Sequence, residues 1–320
     1  MPPQDLSRTL VLEVVRVTEA GAVAASKWTG RGDEKAADAA AVEAMREAFN
    51  KLPFEGTVVI GEGERDEAPM LYIGEKVGAG GPRVDVALDP LEGTTICAKA
   101  MPNALAVLAI STDNGLLHAP DVYMDKIAVG GGLPEGVIDL DKSATENVTA
   151  VAKAKGKPID ETMVCVLDRP RHQKLIAELR EMGCGVALIG DGDVAAVIAT
   201  TDAKTGIDIY IGSGGAPEGV LAAAALRCIG GQMQGRLLFR NDDEKARARK
   251  WGIEDLNRKY HLMDLASGDV IFAATGVTDG SLLKGVHITD EGITTETLTM
   301  RSKTKTIRRV HAIHGPNGAS

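Results

Sequence analysis

Apolar side chains return at helical spacing along residues 6–27, at Leu10, Val14, Val17 and Ala24, which predicts a first amphipathic helix. Gly30-Arg31-Gly32 interrupts the pattern, and the acids Asp33 and Glu34 open a second predicted helix over 33–52. Unbroken apolar runs at 57–60, 84–88 and 104–110 read as strands of a covered sheet, the first two separated by a glycine-rich link at 78–82. A loop is expected at 129–134 and a helix at 145–155, ending on the Gly156-Lys157-Pro158 break. Beyond it the rhythm becomes regular: strands at 162–167, 186–189 and 207–211, each followed by a helix, at 170–182, 194–200 and 217–229. A charged surface helix over 241–259 and strands at 269–274, 296–301 and 305–311 complete the pattern. The change of rhythm predicts two domains, an α+β domain over 1–158 and an α/β domain over 159–320.

Composition narrows what such a chain can do. With 320 residues, 44% of them hydrophobic, it can bury more than one core. Aromatic residues make up only 3% and the net charge is −9, which argues against single-stranded or general nucleic-acid binding. An anionic ligand would then need a local positive device, a metal ion or a few placed Arg and Lys. Cys97, Cys165, Cys184 and Cys228 are scattered singly, so reduced thiols in a cytoplasmic protein are expected rather than disulfides or a structural zinc site. No run reaches 18 apolar residues and the first residues, Met-Pro-Pro-Gln-Asp, carry no charged and then apolar leader, so no membrane association is expected.

Chemistry gathers at strand ends. In Asp89-Pro-Leu-Glu-Gly-Thr-Thr95 two carboxylates stand between a buried strand, ended by Asp89-Pro90, and an expected helix start at Glu92-Gly93-Thr94, whose free amides attract an anion. Hard oxygen ligands beside such donors suit metal-assisted phosphoryl chemistry; a plain acidic turn is the other reading. Gly61-Glu62-Gly-Glu-Arg-Asp66 sets three carboxylates within five residues, a metal site or a solvated turn. Asp33, Glu34 and Asp38 either complement a helix dipole or, through Glu34 and Asp38 on one face, contribute to a metal. Arg169-Pro170-Arg171-His172 puts two guanidinium groups where they can grip a phosphate or form surface ion pairs. Asp191-Gly192-Asp193 serves as a sugar-hydroxyl acceptor or a helix cap, and Glu218 follows the bare backbone of Gly214-Gly215 into a helix locked by Pro217.

These motifs, with Lys27-Trp-Thr-Gly-Arg-Gly-Asp33, Asp66-Glu-Ala-Pro-Met70, Ala119-Pro-Asp-Val-Tyr-Met124, Asp191-Gly-Asp-Val-Ala195, Gly214-Gly-Ala-Pro-Glu-Gly219 and Thr306-Ile-Arg-Arg309, resemble class II fructose-1,6-bisphosphatases over essentially the whole length. Glu92, where the wider superfamily motif has Asp, marks the resemblance as class II rather than inositol monophosphatase. The resemblance implies a layered α/β/α/β/α sandwich of the sugar-phosphatase type in two domains, and hydrolysis of the 1-phosphate of fructose 1,6-bisphosphate with Mn²⁺ or Mg²⁺ as cofactor. It assigns Asp38 and Glu62 to one metal and Asp89, Glu92 and Glu218 to another, with Asp66, Thr94 and Glu62 in catalysis. Substrate contacts would come from Glu92, Gly93, Thr94, Tyr123, Arg169, Pro170, Arg171, Asp191, Gly192, Asp193 and Gly215. A homodimer or homotetramer acting on a small sugar bisphosphate is expected. Dual action on sedoheptulose 1,7-bisphosphate and a non-catalytic sugar-phosphate sensor are the alternatives.

Overall fold

The computed structural model describes residues 6–62 and 70–315. In chain order the elements are α1 (Leu10–Ser26), α2 (Glu34–Phe49), β1 (Glu55–Ile60), β2 (Lys76–Val77), β3 (Arg83–Glu92), α3 (Thr94–Ala98), β4 (Leu105–Thr112), β5 (Tyr123–Gly130) and α4 (Ala144–Lys155). There follow β6 (Met163–Leu167), α5 (Gln173–Glu181), β7 (Gly185–Ile189), α6 (Asp193–Ala199), β8 (Ile209–Gly215), α7 (Ala216–Ile229), β9 (Gly231–Leu238), α8 (Asp242–Lys250) and β10 (Tyr260–His261). The chain ends with α9 (Leu262–Leu265), β11 (Val270–Gly276), β12 (His287–Thr289), β13 (Gly292–Arg301) and β14 (Thr306–His314). The α/β class expected from the alternating pattern is what the chain adopts.

Two compact units form, residues 1–117 with 268–320, and residues 118–267. The expected boundary at 158 is therefore corrected: it falls inside the second unit, just after α4. The reason is strand pairing at long range. β5 lies between β9 and β8 in the second sheet, and after residue 267 the chain returns to lay β11 antiparallel against β4 in the first. Local periodicity carries no trace of such partners.

In the first unit the sheet runs β12-β13-β11-β4-β3-β1-β2, with β14 also paired to β13. The helical stripe read from the sequence holds: Leu10, Val14 and Val17 of α1 join Met45 and Phe49 of α2 in a core with Val84, Val86 and Leu88 of β3 and Leu108 and Ile110 of β4. Burial of this aliphatic face, at about 1.5–3 kcal/mol per large side chain, fixes the helices to the sheet.

The second sheet runs β10-β9-β5-β8-β6-β7. Alternation along its strands sends Ile127, Val129, Val164, Val166 and Ile209 into one core with Val148 and Val151 of α4 and Ile176 and Leu179 of α5. The intervening residues face the other way, where Gly219 of α7 rests against Met124 of β5 and Tyr210 of β8 meets Asp193 of α6. β6, β7 and β8 are mutually parallel, as expected, but β5 and β9 were not foreseen as strands. The charged stretch 241–259 is helical only over Asp242–Lys250. No helix among the described residues is long and apolar enough to cross a membrane.

Candidate active site

In the first unit the carboxylates of interest collect at one end of the sheet. β1 and β3 run parallel with Ile60 opposite Ala87, so Glu62, just past β1, and Asp89, within β3, each two residues further on, lie at matching positions of adjacent strands. The expectation that Asp89-Pro90 ends the strand is corrected, for β3 continues through Glu92. It does so with a bulge. Asp89 faces Val107 and Glu92 faces Leu105, three residues of β3 spanning two of β4. The extra residue accommodates Pro90, which has no ladder donor to offer. It also restores Asp89 and Glu92, otherwise on opposite faces, to the same face of the sheet.

Asp89 Oδ1 accepts the amide of Leu91 at 3.1 Å, which holds the bulge, and Glu92 is only 4% exposed. Gly93 then takes φ +86°, ψ 52°, a left-handed turn that starts the single-turn helix α3 at Thr94. Ala37 and Ala41 of α2 pack with Leu91 and Ile96 from this corner, which sets Asp38 on the adjoining turn of α2. Burial pushes the Asp38 carboxyl above its usual range. Asp33 is a helix cap, accepting the amide of Ala36 at 3.0 Å, as its position before α2 suggested. Asp66 lies outside the described residues. Among the described residues no three His, Cys, Asp or Glu side chains already form a metal cage.

In the second unit the expected residues gather at the carboxyl ends of β6, β7 and β8, where open α/β sheets carry their ligands. β5 is antiparallel to β8, so its first residue, Tyr123, stands level with Gly215 at that same end. Arg171 donates from Nε to the carbonyl and Oγ of Ser213, both at 3.1 Å, and stacks over the Tyr123 ring at 4.7 Å. It has no carboxylate partner among the described residues. Arg169 is half-buried and reaches Asp191 Oδ1 at 3.9 Å, tying together two of the strand ends. Pro170 opens the short helical turn that carries Arg171.

His172 is buried and structural. The amide of Ser213 donates to its Nε2 at 2.8 Å, so Nδ1 carries the proton and donates to the Leu167 carbonyl, also 2.8 Å away. Burial lowers its pKa and keeps the ring neutral.

Asp193 carries a carboxylate that is held within the protein. It is 5% exposed, pairs with Lys126, which is 1% exposed, and accepts the Tyr210 hydroxyl at 3.1 Å. A buried lysine has to be paired, and Asp193 is its counter-ion. Lys126 also donates to the Gly215 carbonyl at 2.9 Å.

The bare backbone at 214–215 serves these side chains. A Cβ on Gly214 would stand 2.3 Å from Asp193 Oδ2, and one on Gly215 would stand 1.9 Å from Glu218 Oε2. Glu218 thus folds back over Gly215. Its Oε2 is buried without a hydrogen-bond partner among the described residues, and burial, opposed by Lys126, raises its carboxyl above the usual range. Gly192 takes φ +84° at the start of α6. Lys126 is a neighbour of these candidate residues that the sequence reading passed over; a lysine next to Asp125 in the otherwise apolar stretch 122–129 was the available signal.

Relatives place the chain. The family model described as bacterial fructose-1,6-bisphosphatase, glpX-encoded, matches residues 8–314. A fructose-1,6-bisphosphatase 1 class 2 of Escherichia coli is 49% identical over 324 residues, covering 97% of this chain and 96% of that protein. A fructose-1,6-bisphosphatase class 2 of Shigella flexneri is 49% identical over the same shares of both chains. Two solved structures are also similar. The extragenic suppressor protein suhB of Bartonella henselae has a TM-score of 0.37 and 14% identity, covering 61% of this chain and 75% of that one. An inositol monophosphatase of Anabaena (Nostoc) has a TM-score of 0.32 and 15% identity, covering 60% and 70%. Matched from end to end by the family model and nearly half identical to its curated relatives, the chain belongs to the glpX-type bacterial fructose-1,6-bisphosphatases, which are phosphoric monoester hydrolases.

Proposed function

We propose that the chain hydrolyses the 1-phosphate of fructose 1,6-bisphosphate, releasing fructose 6-phosphate and phosphate, with a divalent cation, Mn²⁺ or Mg²⁺, as cofactor. The observation that carries this reading is kinship at 49% identity along 97% of the chain. The donor chemistry fits the cation: the candidate ligands are all hard carboxylate oxygens, and the buried Glu218 Oε2 has no hydrogen-bond partner among the described residues. Asp38 and Glu62 would hold one ion; Asp89, Glu92 and Glu218 would hold another. Such ions, when bound, draw charge off the phosphate and lower the pKa of a bound water.

The chain supplies position. Asp89 and Glu92 share a face of the sheet, and Thr94 follows them directly, its hydroxyl and the Gly93-Thr94 amides available to the 1-phosphate, with Asp66 as the acid-base partner of the attacking water. Arg171, Arg169 and Tyr123 would hold the 6-phosphate, so that binding far from the reacting bond fixes its geometry. Asp191, Gly192 and Gly215 line the same sheet end for the sugar. The reading includes a cytoplasmic homodimer or homotetramer, and four buried cysteines outside any disulfide suit a reducing compartment.

Replacing Glu92 or Glu218 by Gln should lower kcat at least 100-fold with melting temperature preserved, because each exchange removes a charge and leaves volume unchanged. Retained turnover in either variant would remove that residue from the site.

A further inference from the structure

Arg240 lies outside every motif that points to the active site, yet its position in the second unit is that of a ligand-binding residue. β9 is antiparallel to β5, which is antiparallel to β8; β9 therefore runs in the same direction as β6, β7 and β8. Its last residue, Leu238, pairs with Tyr123, and Arg240 follows two residues later, at the sheet end where Arg171 and Gly215 stand. The Arg240 guanidinium lies over the Tyr123 ring at 5.2 Å, and that of Arg171 over the same ring at 4.7 Å. Two cations from distant segments share one aromatic ring, whose hydroxyl makes no hydrogen bond among the described residues. Two guanidinium groups on one ring bring positive charge to one sheet end, and such paired forks suit a bidentate oxyanion.

Each is already oriented by its own anchor. Arg171 is held by Ser213, and Arg240 Nε donates to Glu244 Oε1 at 2.7 Å while its backbone amide donates to Glu244 Oε2, also at 2.7 Å. Glu244 is buried and in turn is fixed at the start of α8 by the Asn241 cap at 2.9 Å. The Arg240 side chain remains 47% exposed, so amino donors stay open to a ligand. A plain ion pair stapling α8 needs no tyrosine face and no second arginine.

We propose that Arg240 is a specificity-determining residue that binds the phosphate remote from the scissile bond together with Arg171 and Tyr123. The inference rests on the bisphosphatase reading above and adds to it the residue that separates a doubly from a singly phosphorylated sugar. Fructose 6-phosphate retains only the remote phosphate, so its binding to the full-length protein reads this subsite without turnover. Arg240→Gln should weaken fructose 6-phosphate binding in calorimetry by about tenfold or more, the worth of a lost charge-assisted hydrogen bond. The ratio of kcat/KM for fructose 1,6-bisphosphate over fructose 1-phosphate should fall by a similar factor, and Arg171→Ala should move both readouts the same way. Arg240→Lys, which keeps the charge but not the planar fork, should lie between and serves if the Gln variant folds poorly.

Glu244→Gln separates the two roles. It breaks the ion pair and leaves Arg240 charged, so fructose 6-phosphate binding should be held or improved; if Glu244→Gln reproduces the Arg240→Gln loss, Arg240 acts only as an anchor for α8 and the proposal is overturned. An Arg240→Gln protein with substrate ratio and product affinity within twofold of the parent would overturn it equally. Failure of the underlying reading looks different: the parent protein itself would neither bind fructose 6-phosphate nor release phosphate from the bisphosphate.

Discussion

The buried histidine next to Arg171 gives the clearest residue-scale test, because its protonation state is fixed by what it touches. His172 accepts from the Ser213 amide and donates to the Leu167 carbonyl, and a second proton on the ring would break the first of these bonds. Burial is the main cause of its lowered pKa; Arg171 and Arg169 add to it, and the Leu167 bond and Asp125 oppose it. The native state therefore binds this proton less readily than the unfolded chain, where a histidine titrates near about 6.5. The resulting stability is whole above that pH and declines as pH falls below it, by up to about 1.4 kcal/mol per pH unit for one proton. In urea melts between pH 5 and 8, His172→Gln should remove this component, so that parent and variant converge at low pH. Parallel pH profiles would mean that the ring is not held neutral.

At the scale of elements, the glycines after β8 explain more than their backbone freedom. Gly214→Ala would drive a methyl to 2.3 Å from Asp193 Oδ2 and 3.0 Å from Lys126 Nζ, forcing apart a buried ion pair. We expect a loss of about 3 kcal/mol in chemical denaturation, whereas Gly190→Ala, with nothing within 4 Å of its new methyl, should stay within about 0.5 kcal/mol of the parent. A Gly214→Ala protein of unchanged stability would contradict the enclosed pairing of Lys126 with Asp193. Here the sequence was legible in part. Helices α1, α2, α4 and α7 were readable because their apolar stripes or caps are local, as were the strands of the β6–β8 parallel run. The Asp89–Glu92 bulge was not, since the pairing of three residues against two exists only once β4 is alongside. For the same reason β9 and Arg240 went unnoticed: what makes Arg240 a neighbour of Tyr123 is a partner strand more than a hundred positions earlier.

For the whole molecule, the division into units was the least legible feature. The change of rhythm near residue 158 is real, but it marks where parallel strand-helix repeats begin inside the second unit, not where a unit ends. The first unit is closed by β11 to β14, which return from the far end of the chain, and only tertiary pairing of β11 with β4 reveals it. Asp38, Glu62, Asp89, Glu92 and Glu218 were all singled out from the chemistry of carboxylates at strand and helix ends; Asp193, which satisfied the same local rule, turned out to balance a buried lysine that no local rule reveals.

The central claim, a metal-dependent bisphosphatase, is tested most directly by phosphate release from fructose 1,6-bisphosphate by the purified full-length protein with Mn²⁺, with Mg²⁺ and with EDTA. The account predicts release of one phosphate per sugar with at least one of the two ions and loss of more than 99% of the rate in EDTA, on the order of what removing a catalytic cation costs. Release that persists at full rate in EDTA, or no release with either ion, would contradict it.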